Sequence, residues 1–186
     1  MFPSGPPIAQ SWRHANHHPH TTHTTPTVEP YLAHQGEARW YGDSLFEFLI
    51  PDEATGGRLT FFRATLAQGF SPPRHVHTRE DEAFYVLDGV LEVTVGTQTS
   101  VVRTGDFVYL PRGTTHCFRN MDVNAARMLI LTTPAGFERF FAEAGVPARP
   151  GEQAPPLDPA EFGRIAELSA KYGGRIVAAQ PAGSQE

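Results

Sequence analysis

From Tyr31 onward the chain is a succession of short apolar runs, each cut off by Gly, Pro, Asn or Asp. Runs of this length, rich in Val, Phe, Leu and Thr, predict strands of an antiparallel barrel or sandwich. The strands fall at 45–50, 59–67, 83–87, 90–95, 99–103, 107–110, 115–119 and 127–132. The run 59–67 is apolar on both faces, at Leu59, Phe61, Phe62, Ala64 and Leu66, which suits a strand buried on both sides. Asp88-Gly89 is the strongest hairpin signal between them. After the strands the period changes. Phe137, Phe140, Phe141 and Ala144 stand at i, i+3, i+4 and i+7, an apolar helical stripe over 136–144 that should pack on the barrel. A Pro-rich linker follows. Asp158 then reads as an N-cap, Pro159 as the first helical residue and Glu161 as a capping-box acid, opening a second helix that runs to about Tyr172.

The ends of the chain have another texture. Residues 1–30 are Pro-, His- and Thr-rich with few apolar side chains, too few to offset the entropy of ordering, so they read as a flexible arm. Its His14, His17, His18, His20 and His23 suit adventitious metal uptake better than a built site. The layout is therefore an arm (1–30), one barrel with its following helix (31–147), and a linker, C-terminal helix and tail (148–186), the residues beyond 178 reading as frayed. No internal repeat indicates a second barrel.

Composition narrows the function. A formal net charge of -5 without any run of like charge offers no footprint for nucleic acid. No apolar run approaches the roughly 18 residues of a membrane span. Cys117 is the sole cysteine, which excludes an intrachain disulfide and makes the cytoplasm the expected location. What remains is a small-molecule ligand.

The chemistry concentrates in one stretch. Residues 69–89 read GFSPPRHVHTREDEAFYVLDG, in which His75 and His77 are two apart on an extended segment and so point to one side. They can share one ion. Glu82 opens the next strand on the same face as Phe84 and Val86, bringing a carboxylate into an apolar interior. Glu80 and Asp81 flank it and read as solvated charge. Sixteen residues after Gly89, GDFVYLPRGTTHCFRN places His116 four residues before Asn120. Strand parity turns Cys117 away from the side His116 faces, and Asn120 reads as a turn-fixing side chain.

These two segments, G-x5-H-x-H-x4-E-x6-G and G-x5-P-x-G-x2-H-x3-N, match without a gap the paired motifs of the cupin superfamily, which the chain resembles over roughly residues 45–132. The resemblance implies an all-β, cupin-type antiparallel barrel (a double-stranded β-helix or jelly roll) with a short C-terminal helical segment. It also implies His116 as fourth ligand beside His75, His77 and Glu82. A three-His, one-Glu set without sulfur suits one divalent transition metal ion, Fe, Mn, Ni, Co, Cu or Zn. Four protein ligands leave one or two coordination positions open, the mark of a catalytic rather than a closed site.

Within that superfamily, Glu82 in the first motif, Pro72-Pro73 just before His75, and the segment TTPAGFERFFAEAGVP at 132–147 resemble small bacterial monocupins of the quercetinase (flavonol 2,4-dioxygenase) type. The resemblance implies ring cleavage of a flavonol by O2 with release of carbon monoxide, Glu82 taking the 3-hydroxyl proton as general base. Strand parity and aromatic character nominate Phe46, Phe48, Phe84, Phe118, Met128 and Ile130 as the substrate pocket, with Phe137 closing its mouth. The competing readings are a non-redox isomerase or lyase, and a binding or sensing module in which the ion anchors a ligand. An exposed first strand makes a homodimer paired edge to edge the expected assembly.

Overall fold

The computed structural model describes residues 28–33, 36–155 and 158–177. The His cluster of the N-terminal arm and the tail from 178 onward lie outside these. In chain order the strands are β1 (Glu37–Tyr41), β2 (Ser44–Ile50), β3 (Thr60–Leu66), β4 (His75–His77), β5 (Asp81–Asp88), β6 (Val90–Val95), β7 (Gln98–Arg103), β8 (Phe107–Leu110), β9 (His116–Asn120), β10 (Ala126–Thr133), β11 (Val146–Pro147) and β12 (Gly174–Ile176). Two helices, α1 (Glu138–Ala144) and α2 (Phe162–Lys171), sit between the last three strands.

The strands form two antiparallel sheets. One is ordered β11-β1-β2-β3-β10-β5-β8 and the other β12-β4-β9-β6-β7. Their inner faces enclose the core. Alternation sets it: along β3 the even-numbered residues Thr60, Phe62, Ala64 and Leu66 are buried while the odd ones are half-exposed, and β10 repeats this with Ala126, Met128, Ile130 and Thr132. β3 therefore has one buried face rather than two, because only its even residues meet the opposing sheet. Burial of the large side chains, Phe46, Phe62 and Phe84 at 1% exposure each, contributes on the order of 1.5–3 kcal/mol per residue.

Asn120 ends β9 and holds three strand ends together. Its Nδ2 donates to the carbonyls of Leu66, Ala67 and Asn124, and its Oδ1 accepts from Asp122 N, so the turn-fixing role expected of it is met by a fully buried side chain. Asp88-Gly89 is not a hairpin. β5 and β6 lie in different sheets with one residue between them, and Gly89 (φ +95°) carries the chain across where an added Cβ would meet Ala126 Cβ at 2.8 Å. The two-residue hairpins are instead Gly42-Asp43, with Tyr41 opposite Ser44, and Gly96-Thr97, with Val95 opposite Gln98.

The strand read as first, 45–50, is not an edge, because β1 covers it and β11 in turn pairs with β1 at Arg39 and Trp40. α1 packs on the barrel as its stripe predicts, Phe141 stacking on Phe46 at 4.2 Å. Asp158 caps the segment leading into α2, accepting from Ala160 N at 2.9 Å. Glu161 closes no capping box; its carboxylate takes Arg164 instead. The sequence reading does not anticipate β12, which returns after α2 to pair with β4.

Candidate metal centre

Three imidazoles come from the smaller sheet. β4 contributes His75 and His77, and β9 contributes His116, whose backbone lies opposite that of His75. Glu82 comes from β5 of the larger sheet, directly across the interior. The structure brings all four together, each offering a ligand atom within 4.8 Å of the others. Glu82 Oε2 lies 2.9 Å from His116 Nε2 and 3.6 Å from His77 Nε2. Cys117 points away, as parity requires, across from Thr94 of β6.

The ring orientations suit a cation. His75 Nδ1 lies 2.8 Å from the carbonyl of Pro73, and His116 Nδ1 lies 2.9 Å from that of Thr114. A carbonyl can only accept, so each Nδ1 carries the hydrogen and Nε2 is turned inward. The electrostatics agree. Burial works against charge on Glu82, but the facing His77 and His116 overcome it and hold its carboxyl down to about 2. Burial, reinforced by His116, pushes His75 down to about 4, and burial likewise lowers His77. His116 is shifted upward although burial opposes it, because the hydrogen bond with Glu82 and the charge of that carboxylate outweigh burial. The carboxylate of Glu82 and the imidazoles of His77 and His116 thus converge on one point, where His116 Nε2 and Glu82 Oε2 are already hydrogen-bonded. A divalent ion held there would replace that hydrogen bond. The cluster can hold a metal ion, and nitrogen and oxygen donors alone do not select which.

The acidic neighbours part company. Asp81 is bound by the side chain and backbone N–H of Arg112, which hold its carboxyl down to about 2. Glu80, read from the sequence as solvated charge, is buried at 2% exposure, and burial pushes its carboxyl up to about 7. The turn before α1 runs nearby, where a Cβ added to Gly136 would lie 3.7 Å from Oε1, a proximity across 56 residues that local sequence cannot announce.

An apolar cavity of about 60 Å³ opens beside His75, His77 and Glu82. Of the side chains nominated from the sequence, Phe46, Phe118, Ile130 and Phe137 line it. Phe48, Phe84 and Met128 do not. Parity turns them inward but does not give depth. Met128 pairs with Val86, two layers beyond Glu82, and Phe84 is sealed against Phe118, while Phe48 borders a separate hollow with Asp52 and Glu138. Phe137 lines the cavity with its ring edge-on to His77 at 4.1 Å. Sequence reasoning missed Tyr41, Phe70, Ile165 and Ile176, which border both this cavity and an outer hollow of about 830 Å³. The helical periodicity around Ile165 marks a buried face but not what that face covers.

Residues 62–132 match the family model described as Cupin domain, which spans every strand that carries a donor. The barrel has the cupin fold. Quercetin 2,3-dioxygenase of Bacillus subtilis is 28% identical to this protein over 137 residues, 72% of this chain and 40% of that enzyme. Quercetin 2,3-dioxygenase of Aspergillus japonicus is 29% identical over 133 residues, 65% of this chain and 37% of its own length. The chain thus spans about two fifths of these relatives. Among solved structures, a predicted oxalate decarboxylase from Thermotoga maritima aligns with a TM-score of 0.51 at 21% identity, covering 55% of this chain and 95% of its own. That likeness supports the cupin fold alone.

Proposed function

We propose that this protein is a metal-dependent dioxygenase that opens a ring of a flavonol, or of a related enolisable aromatic, with O2. The observation that carries the reading is the location of the donor cluster: three His and one Glu at the wall of an aromatic-lined cavity, in a chain similar to two quercetin 2,3-dioxygenases. In this reading His75, His77, Glu82 and His116 hold one divalent ion. Lewis acidity toward an enol or hydroxyl oxygen is the chemistry that such an ion supplies when bound.

The protein's own groups supply the rest. Glu82 is ionised at neutral pH and accepts the substrate hydroxyl proton at Oε2, the atom that His116 otherwise occupies. Phe46, Phe118 and Phe137 present flat apolar surface to an aromatic substrate and exclude bulk water from the proton transfer. The inner cavity is well below the roughly 300–1,000 Å³ of typical ligand sites. The reacting ring therefore occupies the inner space while the remainder of the substrate lies in the outer hollow, between Pro72-Pro73 and α2.

The test is aerobic incubation of protein loaded separately with Fe, Mn, Co, Ni or Cu with a panel of flavonols. Bleaching of the flavonol absorption with equimolar carbon monoxide release, lost under argon, is the expected result. Absence of turnover with every metal overturns the reading, and turnover that persists without oxygen transfers the protein to non-redox chemistry.

A further inference from the structure

His75 and His116 each have Nδ1 anchored by a backbone carbonyl, and His77 has none. Its Nδ1 is buried and lacks a hydrogen-bond partner among the described residues. The nearest complementary group is Glu80, whose Oε2 is equally buried, equally without a partner among the described residues, and 3.9 Å away. Two buried polar atoms left facing each other across one short gap are costly unless something brings them together.

We infer that Glu80 is the positioning residue for His77, accepting a hydrogen bond from Nδ1–H so that Nε2 faces the cluster as the electron-pair donor. The inference rests on the metal-binding reading of the cluster. His77 Nε2 already points toward Glu82, which leaves Nδ1 on the opposite side of the ring, toward Glu80. Phe137 meets the imidazole edge-on and limits its tilt, so the remaining freedom is rotation toward or away from Glu80. Closing the gap to an N–H···O⁻ bond of about 2.7–2.9 Å requires movement of about 1 Å. Drawing His77 into the cluster supplies such a movement. A carboxylate on Nδ1 also makes Nε2 a stronger donor than a carbonyl would, setting His77 apart from the other two imidazoles.

The experiment uses the full-length chain and Zn(II), which is diamagnetic, as the probe. Affinity is read by chelator competition at the site that His116→Ala removes, which separates it from binding by the His-rich arm. Glu80→Ala is expected to weaken zinc binding about 10- to 100-fold. Glu80→Gln, whose amide oxygen still accepts, should stay within a few-fold of wild type. Nitrogen-15 NMR of the zinc-loaded protein should show His77 protonated at Nδ1 in wild type and Glu80→Gln, with that signal broadened or shifted in Glu80→Ala. Thermal unfolding of the metal-free variants should match or exceed wild type, since an unpartnered buried carboxylate is removed. Equal zinc affinity in wild type and Glu80→Ala, or a fall in unfolding temperature without a change in affinity, overturns the role of Glu80 alone. Failure of wild type to bind zinc at the His116-dependent site overturns the metal reading and this inference with it.

Discussion

The two sheets divide the work of the barrel unequally. The seven-stranded sheet has long ladders, with β10 paired along its length to β3 and β5, and it supplies Phe46, Phe62 and Phe84 of the barrel core, yet it gives the donor cluster only Glu82. The five-stranded sheet gives all three imidazoles, and two of them ride on β4, a strand of three residues with a single register pair to β9. What holds β4 is β12, which pairs with all three of its residues. The larger sheet, whose Phe46, Phe62 and Ile130 also line the cavity, supplies most of the barrel core and the smaller one most of the donors, and substitutions should separate stability from metal affinity.

The sharpest test of that division is Phe62→Ala in the larger sheet. It should cost about 3–5 kcal/mol in denaturant unfolding while leaving metal affinity of the folded protein within a few-fold. A comparable loss of affinity would show that the sheets are coupled. Next in size, metal at about 100 times its dissociation constant should stabilise wild type by about 2.7 kcal/mol, an increment absent in His116→Ala and removed by chelator. Gly174→Ala probes β12 itself. An added Cβ there would lie 2.4 Å from Ser169 Oγ and 2.9 Å from Phe137 Cε2, so β12 or Phe137 must shift, at a cost of about 1–3 kcal/mol. That variant should weaken metal binding more than Phe62→Ala does, by calorimetry.

The smallest effect is at the surface. Asp81 has its carboxyl depressed from 3.8 to about 2, chiefly through hydrogen bonds from Arg112. A depressed folded value means the contribution is present above pH 3.8 and lost as pH falls through about 2. Arg112→Ala should therefore lower the unfolding temperature slightly at pH 5 and not at all below pH 2, without touching the cluster.

The larger sheet was the more legible one. Period-two alternation along β10 and, Ala83 apart, along β5 marks their inner faces and put Glu82 inside; β3 read as buried on both faces, and the parity that turned Cys117 out belongs to β9 of the smaller sheet. Donor spacing identified the cluster because His75, His77 and Glu82 lie within eight residues of one another. Legibility ended where a residue's surroundings come from far along the chain. Glu80 looks like one of two surface acids flanking Glu82 although the fold buries it near the turn at Gly136, and Gly174-Arg175-Ile176 has no pattern of its own until β4 supplies a partner. Depth behaves likewise: parity cannot tell Ile130, at the cavity, from Met128, one layer further in.

The pairing of β12 with β4 also bears on how portable the site is. All four donors lie within the segment that matches the family model, so that segment encodes the whole ligand set. It does not by itself build it. A graft of residues 62–132 into another barrel would carry the donors but leave behind the strand that aligns two of them, and residues 174–176 would have to travel with it.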